Sequence, residues 1–255
     1  MKREFRHPYT VRYDECNCDN VLTPATFLRY MQNIAGLDAE DAALNGNGFW
    51  IAKRTIVSFN TPIPVHTPLE LTTYGIGFTR ITALRGYDAH IVGADHAHPV
   101  ISARTQWVYL DTRGRPIRIP EDTARIWLPD GAPSPRPEPS WPAQPQATPD
   151  TVVHRVRFSD VDQMKHMNNA AYVEAFDNAA WETYSRAGII PAAARIDMLT
   201  YDIDYAESAR FGDLLEIQSW FDPFPSVGKE FSRYQQFVRG GDVLVRARSR
   251  WIWRE

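Results

Sequence analysis

Apolar positions along the chain follow two matched patterns. Phe27, Tyr30, Met31, Ile34 and Ala35 recur at i, i+3, i+4, i+7 and i+8, the single stripe of an amphipathic helix. Thr23 is a good N-cap before it, and Pro24 suits its first turn. The same stripe returns as Tyr172, Ala175, Phe176, Ala179 and Ala180, with Gly188 placed to end the helix. After each helix the period shortens to two. Strands are predicted over 54–60, 70–77, 81–91 and 100–110, then over 199–205, 214–221, 230–239 and 243–253. In Val245-Arg246-Ala247-Arg248-Ser249-Arg250-Trp251 arginines take one face and small or aromatic residues the other. Gly240-Gly241-Asp242 reads as a hairpin turn, and the stretch from Gly93 to Pro99 as a looser one.

The two patterns are a repeat. Val11-Arg12-Tyr13 meets Val156-Arg157-Phe158 at an offset of 145 residues, and Trp107 meets Trp251 at 144. Both tryptophans are expected to anchor cores. One helix followed by antiparallel strands buries its stripe by lying in a curved sheet, so the predicted class is α+β: two tandem units, each a long helix wrapped by antiparallel strands. Residues 1–128 form the first unit and 151–255 the second. Between them, 129–150 carries eight prolines and reads as a semi-rigid spacer. Two units in one chain replace the association of two single ones, and a homodimer of the whole chain stays open.

Composition adds exclusions. With 44% hydrophobic and 12% aromatic residues the chain is globular, and each unit is large enough for a core. A net charge of −3 implies no global attraction to nucleic acid or anionic membrane. The start has no secretory apolar run and no segment is apolar enough to span a bilayer, so a cytoplasmic location is expected. Cys16 and Cys18, the only cysteines, are too close for an easy bridge and too few for zinc, and are expected as buried or half-buried thiols. His90, His96 and His98 surround a turn without carboxylates at ligand spacing and read as a solvated hairpin. Neither metal nor cofactor is called for.

The repeat also serves as an internal control. Positions alike in both copies are best explained by folding: Arg12 and Arg157, Glu15 and Asp160. Positions reactive only in the second copy are candidates for chemistry. Asp162 stands against Asn17, His166 against Val21, Asn168 against Thr23, and Glu207 against Thr61. A loop needs no imidazole to turn, whereas hydrolysis near neutral pH benefits from a group titrating at about 6.5. The following helix start offers free N–H groups for an oxyanion, near Met167. Asn168 is the natural N-cap, with substrate orientation as its other role.

The run Asp160-x-Asp162-x-x-x-His166-Met167-Asn168-Asn169-x-x-Tyr172 resembles the signature of hotdog-fold thioesterases, and the whole chain resembles the acyl-ACP thioesterases, which fuse two hotdog units. Leu28-Arg29-Tyr30-Met31-Gln32 and Trp50-Ile51-Ala52-Lys53-Arg54 support this in the first half. The resemblance implies hydrolysis of fatty acyl-ACP to free fatty acid and holo-ACP, with acyl carrier protein bearing a 4'-phosphopantetheine-linked chain as partner. It implies catalysis by Asp162, His166 and Glu207 in the second unit and an acyl pocket mainly in the first. Two positions depart from the family: Met164 stands where Asn is frequent, with Gln163 or Asn168 as its substitute, and Ser208 where Cys is frequent; Asn168 and Ser208 are the substrate-orienting candidates. With no cysteine in the second half, a thiol nucleophile is excluded. An acidic carrier calls for a basic patch, sought among Lys229, Arg233, Arg239, Arg246, Arg248 and Arg250. An acyl-CoA thioesterase and a non-catalytic acyl-thioester binder are the alternatives.

Overall fold

The computed structural model describes residues 3–44, 48–94, 97–131 and 133–254. Each half begins with a short strand and a turn, β1 (Glu4–Thr10) and β6 (Asp150–Arg155), that leads into a long helix. Helices α1 (Pro24–Asp41) and α3 (Asn169–Arg186) start at their repeat-equivalent caps. Thr23 accepts from the Thr26 N–H at 3.2 Å, and Asn168 from the Ala170 N–H at 2.9 Å. Gly188 takes φ +81° just past the end of α3, a conformation glycine adopts without a Cβ penalty.

The strands that follow are β2 (Phe49–Phe59), β3 (Pro68–Phe78), β4 (Thr82–Ile91) and β5 (Ile101–Leu110), then β7 (Arg195–Tyr205), β8 (Leu214–Asp222), β9 (Glu230–Arg239) and β10 (Asp242–Arg254). All ten strands join one antiparallel sheet in the order β1-β3-β4-β5-β2-β7-β10-β9-β8-β6. The halves meet where β2 pairs with β7, Val57 opposite Tyr201. This is a double hotdog: two helices side by side against one curved sheet. Arg29 of α1 and Glu174 of α3, equivalent positions in the two copies, meet at 2.7 Å across the pseudo-twofold. Exposed as they are, they contribute about 0–1 kcal/mol and mark the axis more than they hold it.

The helical stripes face the sheet as expected, with Phe27, Ile34, Phe176 and Ala180 fully buried. On β10 the alternation also holds: Val245, Ala247, Ser249 and Trp251 face inward while Arg246, Arg248 and Arg250 face out. Gly240 and Gly241, both with positive φ, make the two-residue hairpin between β9 and β10.

Several expectations need correction. The proline-rich stretch read as a semi-rigid spacer has no helix or strand among its described residues up to Pro149, and it is held against the sheet. It is a strap laid along the sheet: the Phe78 N–H donates to the Pro133 carbonyl at 3.2 Å, the Arg54 guanidinium to that of Pro139 at 2.7 Å, and the Trp220 indole to that of Ala147 at 2.6 Å. Trp141 of the strap lies between the guanidinium groups of Arg54 and Arg246, at 5.2 and 4.8 Å. A short helix, α2 (Glu121–Trp127), precedes the strap without having been predicted; seven residues give no period to read. Cys18 is exposed, and only Cys16 is partly covered. His96 lies outside the described residues; His90 is half-buried on β4 and His98 exposed. Among the described residues no helix is long and apolar enough to cross a membrane.

Candidate active site

The motif loop folds the same way in both halves. In the first, the Asn17 N–H donates to the Val21 carbonyl and the Asn20 N–H to that of Asn17, at 2.9 and 3.0 Å. In the second, the Asp162 N–H donates to the His166 carbonyl and the Lys165 N–H to that of Asp162, both at 2.9 Å. Asn20 and Lys165 share the left-handed backbone, φ +59° and +61°. The preceding carboxylates also match. Glu15 accepts from the Arg12 N–H at 2.8 Å, and Asp160 from the Arg157 N–H at 2.7 Å. Burial works against the Asp160 carboxylate, but the hydrogen bonds from Arg157 outweigh it and hold its pKa below the ordinary value. Asp160 is therefore a scaffold group. The turn itself is complete with asparagine and valine, so the carboxylate of Asp162 and the imidazole of His166 are surplus to folding.

Those surplus groups share one cavity. Asp162, His166 and Glu207 all line a cleft of about 1000 Å³, together with Asn168 and Ser208. Asp162 Oδ1 accepts from the Met164 N–H at 2.9 Å, which fixes its side chain over the loop. Glu207 follows β7, where the N–H groups of Ala206 and Glu207 both reach the Leu244 carbonyl, at 2.8 and 3.0 Å. Its carboxylate sits at the rim, 3.2 Å from Arg239, which Asp213 holds in turn at 2.9 Å. Tyr172 is buried on α3; its hydroxyl accepts from the Ala209 N–H at 2.8 Å, and burial raises its pKa to about 12.

The Met167 amide does not serve as an oxyanion donor. It donates to the Ala209 carbonyl at 2.8 Å, the bond that Leu22 makes to Ile63 in the first half, also at 2.8 Å. It is part of the scaffold in both copies. The group left at the helix start is the Asn169 N–H, which opens α3, has no intrahelical acceptor by geometry and belongs to a cavity-lining residue.

Sequence reasoning missed two contributors, Gln32 and the cleft-lining role of Trp107, and did not read the lining of the pocket it expected in the first half. Gln32 of α1 accepts from the Asn168 side-chain amide at 3.1 Å, so the first half reaches into the second half's motif. Trp107, expected as a core anchor, is only half-buried and lines the cleft with Trp50, whereas Trp251 is buried. A mostly apolar side chamber of about 320 Å³ opens off the cleft inside the first half and shares Gln32, Trp50, Trp107 and Gln163 with it. The contrast between the copies at small residues, Gly36 against Trp181 and Ala39 against Tyr184, was the signal that could have located it.

The basic patch also needs revision. Arg233 is 1% exposed and buried against α3, so it cannot meet a partner. Arg246 and Arg250 are paired with Asp204 and Glu230. Of the six candidates only Arg239 lines the cleft, where Arg210 joins it. Among the described residues no cluster of three or more His, Cys, Asp or Glu is placed to hold a metal.

A double hotdog with acidic and imidazole groups gathered in one cleft defines the class. The comparisons with known proteins then give the family. Residues 2–127 match the acyl-ACP thioesterase N-terminal domain, and 156–254 match the thioesterase-like superfamily. The chain belongs to the acyl-ACP thioesterase family. No curated protein matches it in sequence. Its fold is shared with a protein described as an oleoyl thioesterase from Lactobacillus plantarum, at TM-score 0.83 and 15% identity over 100% of this chain and 98% of that one. It is shared with the 12:0-ACP thioesterase of Umbellularia californica, at 0.77 and 15% over 98% and 97%. An acyl-ACP thioesterase from Bacteroides thetaiotaomicron gives 0.74 and 16% over 97% of each chain.

Proposed function

We propose that this protein hydrolyses the thioester between a fatty acyl chain and acyl carrier protein, releasing the free acid and the carrier's thiol. The observation that carries the reading is that Asp162, His166 and Glu207 line one cleft beside the start of α3, and that this cleft shares lining residues with an apolar chamber. A carboxylate, Glu207 or Asp162, draws a proton from water as the water oxygen bonds to the carbonyl carbon. His166 orients this exchange and passes the proton on. The Asn169 N–H and the positive end of α3 face the developing oxyanion, and the C–S bond then breaks. The leaving thiol has a pKa of roughly 8.5, so it departs as thiolate with little help from a general acid. The cysteine-free second half leaves water, or a carboxylate oxygen, as the attacking group.

The chain's tail lies in the side chamber, where each buried methylene contributes about 0.8 kcal/mol. The acidic carrier docks at the rim carrying Arg210 and Arg239. Thiol release from matched acyl-carrier-protein and acyl-CoA substrates tests the reading. Faster turnover of the carrier-bound chain is expected. Preference for CoA would make it an acyl-CoA thioesterase, and tight binding without release would make it an acyl-thioester binder.

A further inference from the structure

Both halves place an arginine at the same point in the sheet, buried in the second and half-buried in the first, and aim it differently. Arg85 of β4 pairs with Thr105 of β5, and Arg233 of β9 with Ser249 of β10. Thr105 and Ser249 each stand two residues before the repeat's tryptophan, Trp107 or Trp251. In the second half the Arg233 guanidinium lies 3.7 Å from the Trp251 ring centre and donates to Tyr184 and Asp177 at 2.7 and 2.8 Å. Trp181 and Phe221 pack against the core nearby.

In the first half the equivalent space is the side chamber. Small residues replace the large ones: Gly36 for Trp181, Ala39 for Tyr184 and Gly75 for Phe221. The arginine is also drawn off its tryptophan. Arg85 donates to the fully buried Asp38 at 2.6 Å and lies over Trp127 of α2 at 5.1 Å. Asp38 is held in turn by Arg3 at 2.9 Å and by the Trp127 indole at 2.6 Å. Arg85 and Trp127 line the chamber but not the main cleft, so they stand at its far end.

We infer that Asp38 is a strut: it holds Arg85 against Trp127, keeps the space beside Trp107 open, and gives the chamber a polar end wall that sets the longest acyl chain accepted. This rests on the acyl-thioester reading above. Asp38 is a positioning residue, acting through Arg85. Without its charge the half-buried guanidinium keeps the Thr73 hydroxyl as a hydrogen-bond acceptor, at 3.2 Å, and the face of Trp107 offers the arrangement that Arg233 already makes with Trp251.

The test is a series of straight-chain acyl thioesters, with the affinities of the matching free fatty acids measured by calorimetry. In the wild type both should rise about fourfold per methylene, the equivalent of about 0.8 kcal/mol, up to a break and then fall. Asp38→Asn should move the break to shorter chains and raise KM for the long ones about tenfold, leaving kcat on the shortest unchanged. Adding Arg85→Met, which removes the group that collapses, should restore the long chains; a purely structural loss would not be rescued. Gly36→Leu tests the same space independently, because a Cβ built there meets nothing within 4 Å. It too should shorten the break. If no thioester is turned over, the hydrolase reading fails and the fatty-acid affinities alone decide. An unmoved break in folded Gly36→Leu and Asp38→Asn, or no rescue by Arg85→Met, overturns the strut.

Discussion

The first and second halves share a helix, a sheet and a motif loop hydrogen-bonded alike, yet they differ in the side chains that occupy the loop and the space beside the helix. In the second, Asp162 and His166 occupy a turn that the first builds from Asn17 and Val21. In the first, glycine and alanine line a chamber at positions where the second carries tryptophan, tyrosine and phenylalanine. Under the proposed function, duplication freed each copy from one constraint. The half proposed to carry the chemistry keeps the large side chains at those positions. The half with the pocket gives up its reactive loop.

The sharpest way to break this comparison is at Glu207, which faces Thr61 in the other copy. Glu207→Gln should lower kcat by about 10²-fold, the scale of a general base, with thermal stability unchanged because its carboxylate is mostly exposed. Normal turnover would confine the chemistry to the loop. Next, Arg210→Glu should raise KM for the acyl carrier about tenfold at low ionic strength, and less as salt screens the rim. Equal effects on carrier-bound and pantetheine-only substrates would remove Arg210 from docking. A smaller effect is expected at the bridge between halves. Gln32→Leu takes the partner from Asn168 while leaving its cap to Ala170, and should cost kcat severalfold, the loss of about 1 kcal/mol for one hydrogen bond. An unaltered kcat would leave Asn168 as a cap alone.

The mildest prediction concerns pH. Burial lowers the pKa of His154, which Asp160 only partly offsets. A histidine whose folded pKa is depressed binds its proton more readily when unfolded. Its contribution to stability is therefore present above the ordinary value of about 6.5 and lost as pH falls below it. Melting temperatures of His154→Phe, which keeps the edge contact to Phe237, should fall less with acid than those of the wild type. Parallel curves would show that His154 does not carry the acid sensitivity.

Much of the fold was legible because period and punctuation agree. The stripes of α1 and α3, their caps and the glycine hairpin each follow from local chemistry, and the offset between copies gave the architecture. The start of β2 was missed because a bulge between Ala52 and Arg54 breaks the alternation just where Trp50 and Ile51 turn to the cleft. Arg233 was misread as a docking group because its partner Asp177 is 56 residues away on α3, a contact no local pattern announces. The Met167 amide was misassigned for a related reason: its acceptor, Ala209, comes from a distant loop. The candidate groups themselves were legible by subtraction of one copy from the other and by the resemblance of their loop to the thioesterase signature.

The central claim is that the second loop's reactive groups serve hydrolysis and not folding. Replacing them with the first half's own residues, Asp162→Asn and His166→Val together, tests it most directly when thiol release from acyl carrier protein and melting temperature are measured on the same sample. We predict a protein that melts like the wild type and releases thiol at least about 10²-fold more slowly. Undiminished release by the folded double variant would contradict the account.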